Sequence, residues 1–187
     1  MLTPRQRTIF TNIYNDFLAE GFAAFTIDGA ASRYKCSKAT LYALGSSRNE
    51  VVRRVLIAYF QQAAHRTESV IQTSRTARQA LTRYFAEIAA VTKPASTQFW
   101  QDMTKDAVAA EVYQVNTDAA TKRITDLVRS GIASGEFRET NPEFAALVIN
   151  ATLERIQDGE LPEDLPTPEA YAELGRFVLS GIAGPRV

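Results

Sequence analysis

The stretch FTIDGAASRYKCSKATLY, residues 25–42, decides the fold class. Thr26 can cap one short helix and Ser37 can cap a second, because both residue types accept hydrogen bonds from the first free backbone N–H groups of a helix. Only a three-residue turn separates the two predicted helices. A longer amphipathic helix is predicted over residues 3–20. Three helices with so tight a final turn are typical of a helix-turn-helix, so residues 1–46 are predicted to form a DNA-binding domain.

The start of the third helix carries residue types that suit DNA reading. Lys38 can reach a guanine edge or a phosphate, and the methyl groups of Ala39 and Thr40 can touch a thymine methyl. The hydroxyl of Tyr42 can bind a phosphate. Lys38 as a solvated charge and Tyr42 as a packing residue are the alternatives.

Ser37 is counted with Lys38, Ala39 and Thr40 as the base-reading group. Phosphate contacts are expected next to this helix. Thr26 lies at a helix start, where backbone N–H groups attract anions. Arg48 at the start of the fourth helix can clamp a phosphate. Lys35, in the turn before this helix, is a further predicted DNA contact.

The rest of the chain is predicted to be helical, which makes the fold all-α. Thr140-Asn141-Pro142-Glu143 and Thr167-Pro168-Glu169 combine a cap, a first-turn proline and an acid, and they predict the last two helices. About nine helices are expected in all. Residues 47–187 are predicted to form one helical domain.

Composition and charge exclude several classes. Residues 1–56 hold eight Lys/Arg and four Asp/Glu, while the remainder is acidic, although the net charge of the chain is zero. A positively charged N-terminal part favours binding to the phosphates of nucleic acid. The chain has no apolar run long enough to span a membrane and no apolar signal-peptide core at its start, so a cytoplasmic location is expected.

No constellation of catalytic or metal-binding residues is visible. The single cysteine, Cys36, cannot form an internal disulfide and is either a buried hydrophobe or a redox sensor. The single histidine, His65, has no partner pattern. We therefore predict no enzyme activity, no cofactor and no metal.

The motif Phe25-Thr26-Ile27, followed by Ala31 and by Cys36-Ser37-Lys38-Ala39-Thr40-Leu41-Tyr42 and then Ser47-Arg48-x-Glu50, resembles the N-terminal domain of TetR-type transcriptional regulators. The chain departs from the family pattern at Gly29, Ala30, Lys35 and Gly45. The family usually has glycine at the position of Lys35, so the resemblance implies a left-handed conformation there, at a cost of about 1–2 kcal/mol for a lysine. The resemblance implies a homodimer that binds a pseudo-palindromic operator, and repression is the commoner outcome in that family. It also implies a C-terminal domain that binds a small effector and takes part in dimerisation.

Apolar rings on the middle helices are the candidate effector site, and plain core packing is the alternative. The predicted ligand-binding residues are Phe60, Tyr84, Ile88, Phe99, Trp100, Met103, Tyr113 and Asn116.

Apolar stripes on the last two helices predict a four-helix interface with a second copy, and packing within one subunit is the alternative. The predicted interface residues are Ala145, Val148, Ile149, Thr152, Phe177, Val178 and Ile182.

These elements predict a mechanism in which a small, largely apolar effector favours a state with low DNA affinity, and the fourth helix connects the two sites. The alternative is a helical protein that binds small molecules or other proteins and whose helix-turn-helix is only structural.

Overall fold

A computed structural model of the chain describes residues 2–157 and 159–183. Within them the backbone forms nine helices, and the single antiparallel bridge between Phe137 and Ala183 is the only β pairing. The helices are α1 (Pro4–Glu20), α2 (Ile27–Arg33), α3 (Lys38–Tyr42), α4 (Arg48–Gln72), α5 (Ala77–Thr92), α6 (Thr97–Lys105), α7 (Ala107–Ala133), α8 (Pro142–Gln157) and α9 (Thr167–Ile182). The all-α prediction and the predicted helix number are confirmed.

Side-chain caps explain where several helices begin. The hydroxyl of Thr3 accepts the backbone N–H of Gln6, and the Gln6 side chain accepts the backbone N–H of Thr3. This reciprocal pair satisfies two N–H groups that an α-helix leaves without partners at its start. At the starts of α5 and α6 the cap is simpler: the hydroxyls of Thr76 and Ser96 each accept the backbone N–H of the residue three positions later. The local sequence therefore determines where these helices begin.

The helices divide into two compact units, Met1–Gln61 with Pro94–Tyr113, and Gln62–Lys93 with Gln114–Val187. α4 and α7 each contribute residues to both units. This division differs from a boundary after residue 46, because α6 and the first part of α4 belong to the same unit as α1, α2 and α3. The functional boundary between residues 46 and 47 stays a prediction.

The core of the first unit is rich in aromatic side chains. Phe17 on α1 packs against Phe22 and Phe25 with ring centroids 5.4 and 5.0 Å apart, and Phe22 packs against Phe99 of α6 at 5.8 Å. Leu41 of α3 is fully buried. The short helices α2 and α3 are therefore held mainly by burial of apolar side chains, since helices of this length are not stable alone.

The second unit is built around the packing of α5 on α9. Leu81 and Phe85 of α5 and Leu174 of α9 lie in one buried apolar cluster, together with Val128 of α7 and Ile149 of α8. Among the described helices, none is long and apolar enough to cross a membrane.

Candidate functional site

The turn between α2 and α3 has the predicted left-handed residue. Lys35 has a φ of 49°, which is the only positive value at a non-glycine residue in the described part of the chain. Arg5 donates to the carbonyl oxygen of Lys35 at 2.9 Å, and the hydroxyl of Tyr34 donates to Asp16 of α1 at 2.6 Å. These bonds from α1 hold the turn in place and offset its strain.

The N-terminal end of α3 is exposed while its body is anchored. Ser37 caps the helix by accepting the backbone N–H of Thr40 at 3.2 Å, and Leu41 is buried. Lys38 and Ala39 are exposed, and Tyr42 is 50% exposed. Because the buried leucine fixes the rotation of the helix, Lys38, Ala39 and Tyr42 lie on its open side. Thr40 is partly buried, and its hydroxyl lies 2.9 Å from that of Ser37.

Lys38 forms an ion pair with Asp28 of α2, with Nζ and Oδ1 2.5 Å apart. The carboxylate raises the pKa of Lys38, chiefly through this hydrogen bond. Both side chains are more than half exposed. Exposed pairs of this kind contribute little stability, so a nearby phosphate can compete with Asp28 for the lysine.

Thr26 caps its own helix, because its hydroxyl accepts the backbone N–H of Gly29 at 3.0 Å. This contact confirms the predicted cap of α2. The residue is exposed, so its contact with a phosphate stays a prediction.

Arg48 does not have the position expected of a phosphate clamp. Its guanidinium binds Asp106 at 2.6 Å and donates to the carbonyl oxygen of Phe22 at 3.1 Å, and only 28% of the side chain is exposed. The pKa of Asp106 is lowered, because hydrogen bonds from Arg48 and from backbone N–H groups outweigh the effect of its burial. Arg48 therefore ties the start of α4 to the loop after α1, and we withdraw it from the set of DNA contacts.

Gly45, one of the departures from the family pattern, has a steric reason in the structure. A Cβ atom at this position would lie 2.7 Å from the backbone nitrogen of Val51 and 2.8 Å from the carbonyl carbon of Glu50. Real Cβ atoms essentially never approach other atoms so closely. Glycine is needed because the first turn of α4 passes directly over the end of α3.

A buried carboxylate that the sequence did not reveal holds the loop between α1 and α2. Asp102 of α6 is 3% exposed and accepts the backbone N–H groups of Phe22 at 2.6 Å and Ala23 at 2.8 Å. Gln98 donates to its other oxygen at 2.7 Å. The loop follows Gly21, whose φ is 80°. An Asp on an amphipathic helix gives no sign of a partner eighty residues earlier, so no pattern could have found it.

A groove of about 430 Å³ lies between the end of α1, the helix α2 and α6. Its charged side chains already have partners: Arg33 binds Asp16 and Glu20, and Asp102 holds the loop. We assign no ligand to this groove.

Five of the predicted ligand-binding residues come together in the first unit. These residues are Phe60, Phe99, Trp100, Met103 and Tyr113. Phe60 packs against Tyr113 with ring centroids 5.7 Å apart, and Phe99 packs against Trp100 at 5.2 Å. Tyr59, which the sequence did not single out, lies among them. We call Tyr59, Phe60, Phe99, Trp100 and Tyr113 the aromatic cluster.

Tyr59 lies at the centre of the aromatic cluster. Its ring centroid is 5.1 Å from that of Phe60, 5.4 Å from Phe99 and 6.4 Å from Trp100. It is 3% exposed, and burial raises the pKa of its hydroxyl. Its neighbour Phe60 was among the predicted ligand-binding residues. Consecutive residues of a helix point in different directions, so the apolar pattern that selected Phe60 did not also select Tyr59.

The other three predicted ligand-binding residues belong to the second unit. Tyr84 lies in its apolar core with Ile88 packed against that core, and Asn116 is partly buried on α7. Their role in ligand binding stays a prediction.

The predicted dimer residues divide into three groups by exposure. Val148 and Phe177 are exposed, at 36% and 73%, whereas Ile149, Val178 and Ile182 are at most 7% exposed. Ala145 and Thr152 are partly exposed. The three buried residues contact the core of their own unit, so we withdraw them from the interface.

Two further apolar residues of α8, which the sequence did not single out, are exposed. Phe144 and Leu147 of α8 are each 63% exposed, and they lie one helical turn before Val148 and Ala151. The apolar pattern of α8 continues around much of the helix, so the sequence did not show which stripe faces inwards.

In the part of the chain that the structure describes, no group of three or more His, Cys, Asp or Glu side chains could hold a metal ion. His65 is exposed, and Cys36 is half-buried in the turn of the helix-turn-helix.

No family model and no curated protein sequence matches the chain. Solved structures do match it. A TetR transcription regulator from Haloarcula marismortui superposes with a TM-score of 0.77 at 12% identity, over 96% of this chain and 98% of that one. A regulator of the TetR/AcrR family from Thermobifida fusca gives a TM-score of 0.71 at 17% identity, over 96% and 98%.

A third structure was solved with a ligand. It is assigned as a transcriptional regulator from Saccharomonospora viridis and contains choline; its TM-score is 0.74 at 19% identity, over 95% of this chain and 97% of that one. At identities this low the similarity concerns the fold. The helix order, the helix-turn-helix geometry and the near-complete superpositions together show that this chain has the fold of the TetR-family transcriptional regulators.

Proposed function

We propose that this chain is a DNA-binding transcriptional regulator. The observation that carries the proposal is the geometry of α3, whose buried Leu41 leaves Lys38, Ala39 and Tyr42 on an open surface. A short helix with small and polar residues at its N-terminal end fits the major groove of DNA. The TetR-type fold supports the same conclusion. We infer no catalytic activity, because the proposed activity requires only binding.

The regulator acts as a homodimer on a pseudo-palindromic operator. Phe144, Leu147, Val148 and Phe177 are exposed apolar residues on α8 and α9. Exposed apolar side chains grouped in this way mark a contact surface. A second copy is the partner of choice, since two recognition helices spaced about 34–36 Å apart read successive major grooves.

A small, largely apolar effector bound at the aromatic cluster releases the DNA, so that the protein acts as a repressor. α4 supports this coupling, because it begins at Arg48, which is bound to the loop after α1, and carries Tyr59 and Phe60 further along. A ligand that shifts α4 changes the support of the helix-turn-helix. The free energy available for release equals the difference in ligand affinity between the two states.

The DNA-binding proposal is tested by titrating the full chain onto duplex DNA that flanks its own gene, at several salt concentrations. Binding should weaken steeply with salt, because phosphate contacts release counterions. Lys38→Ala should lower the affinity by about 1–3 kcal/mol if the lysine contacts a base, or lower the salt slope by about one per subunit if it contacts a phosphate. Tyr42→Phe should also weaken binding.

Lys122→Ala is the matched control, because Lys122 is an exposed lysine on α7, in the other unit. It should leave DNA affinity unchanged. If wild-type protein binds no duplex at any salt concentration, the chain is instead a helical ligand-binding or protein-interaction protein whose helix-turn-helix is only structural.

A further inference from the structure

Two buried polar atoms of the aromatic cluster have no hydrogen-bond partner among the described residues. They are the hydroxyl of Tyr59 and the indole Nε1 of Trp100. Nearly all buried polar groups in folded proteins are hydrogen-bonded, since an unpaired buried donor loses its interaction with water without replacement. A pair of such groups in one place therefore requires an explanation.

The two side chains belong to one packing arrangement. The rings of Tyr59 and Trp100 have centroids 6.4 Å apart and are inclined by 72°. Phe99 contacts both, at 5.4 Å from Tyr59 and 5.2 Å from Trp100. The two unpaired groups are therefore held in one cluster by a shared neighbour.

The chemistry of the two groups limits what they can bind. The indole N–H is a donor only, and the tyrosine hydroxyl can also donate, so the partner must offer a lone pair. The aromatic cluster itself contributes no charge. A carboxylate or phosphate would be buried there without a counter-charge, which is strongly unfavourable, whereas an uncharged oxygen needs only the two donors.

We propose that the effector carries an uncharged hydrogen-bond acceptor, such as a carbonyl oxygen, which Trp100 and Tyr59 bind while the apolar remainder packs against the rings. This inference rests on the proposed function, because it names the chemical class of the effector for the same site. It differs from a purely apolar ligand, which would leave both donors unpaired.

Trp100 is the only tryptophan in the chain, so its indole N–H gives one assignable signal in a ¹H–¹⁵N spectrum of the labelled full-length protein. The probes are acetophenone and ethylbenzene, which have the same ring and similar size but differ in the carbonyl oxygen. Acetophenone should shift the indole proton downfield and bind about two- to tenfold more tightly, the range expected for one hydrogen bond. Ethylbenzene should cause no downfield shift.

Tyr59→Phe removes the hydroxyl and keeps the ring. It should lower the affinity for acetophenone by about two- to tenfold and leave ethylbenzene binding unchanged. Tyr34→Phe is the matched control, because it removes a hydroxyl of the same unit that already has Asp16 as its partner. It should not change the ratio of the two affinities.

Four results would overturn the inference. The first three are equal affinities for the two probes, an indole signal that neither probe moves, and an unchanged affinity ratio in Tyr59→Phe. The fourth is a shift produced by choline but not by acetophenone, because the rings would then be binding a cation. The titration needs no DNA, so its failure is separate from that of the DNA-binding proposal, which the salt dependence tests alone.

Discussion

Replacement of Asp102 tests whether α6 holds the helix-turn-helix together. Both backbone N–H groups of the loop, from Phe22 and Ala23, go to the same oxygen, Oδ2, and the Gln98 side chain goes to Oδ1. Hydrogen bonds to a charged group contribute about 1.5–3 kcal/mol each, and they are not fully additive. We therefore expect Asp102→Ala to lower the free energy of unfolding by about 3 kcal/mol.

Asp102→Asn should lower the free energy of unfolding much less than Asp102→Ala does. An asparagine oxygen in the position of Oδ2 can still accept both backbone N–H groups, and Gln98 can turn its amide to accept from the new NH₂ group. Only the charge is lost, and charged hydrogen bonds are roughly twice as strong as neutral ones. The expected loss is about 1 kcal/mol. If Asp102→Ala lowers the free energy of unfolding about three times as much as Asp102→Asn, hydrogen bonding to the loop is the cause of the loss. This ratio is more informative than either value alone.

The assay is urea denaturation followed by the fluorescence of Trp100, which lies in the same compact unit as Asp102. Asp118→Ala is the matched control, because Gln114 and Asp118 form the same four-residue pair on an exposed part of α7. It should cost no more than about 0.5 kcal/mol. If Asp102→Ala costs no more than Asp118→Ala, the carboxylate does not hold the loop and the reasoning is wrong.

Three further substitutions test other parts of the structure. Gly45→Ala should lower the free energy of unfolding by about 1–3 kcal/mol, because the added Cβ meets backbone atoms. Gly181→Ala is the control, because a Cβ there meets nothing within 4 Å, and it should not destabilise the protein. Equal urea midpoints for the two variants would contradict the steric argument. Lys35→Gly should raise the free energy of unfolding by up to about 1 kcal/mol by relieving the left-handed strain, and Lys35→Ala, which keeps the Cβ, should bring no gain. Phe144→Glu should shift the protein from dimer to monomer in sedimentation equilibrium. Val115→Glu, at a 70% exposed position on α7, is the control and should leave the dimer intact. An unchanged dimer in Phe144→Glu would exclude α8 from the interface.

The local features of this protein can be predicted without its tertiary structure. The left-handed conformation of Lys35 was expected from the family resemblance, whereas the caps at Thr3, Thr26 and Ser37 follow from the residue types at the helix starts. Each depends on interactions between residues a few positions apart, so the information lies within one window of the chain. The helix-turn-helix follows from these signals, because its spacing is itself local.

The role of charged side chains was decided by tertiary structure. Arg48 is next to the predicted DNA contacts in sequence, but its guanidinium is bound by Asp106 and by the loop at Phe22. Asp102 likewise acts on a loop eighty positions earlier. A charge pattern shows that a side chain needs a partner; it does not show whether the partner is a phosphate or another part of the fold.

The same limit applies to the apolar helix faces. The sequence identifies α8 and α9 as rich in apolar residues, but Ile149 and Val178 are buried in their own unit whereas Phe144 and Phe177 are exposed. Hydrophobic periodicity gives the width of an apolar stripe, and only the position of the neighbouring helices decides which part of it is covered. Burial is a property of the packed structure, because it depends on atoms that are distant in the chain.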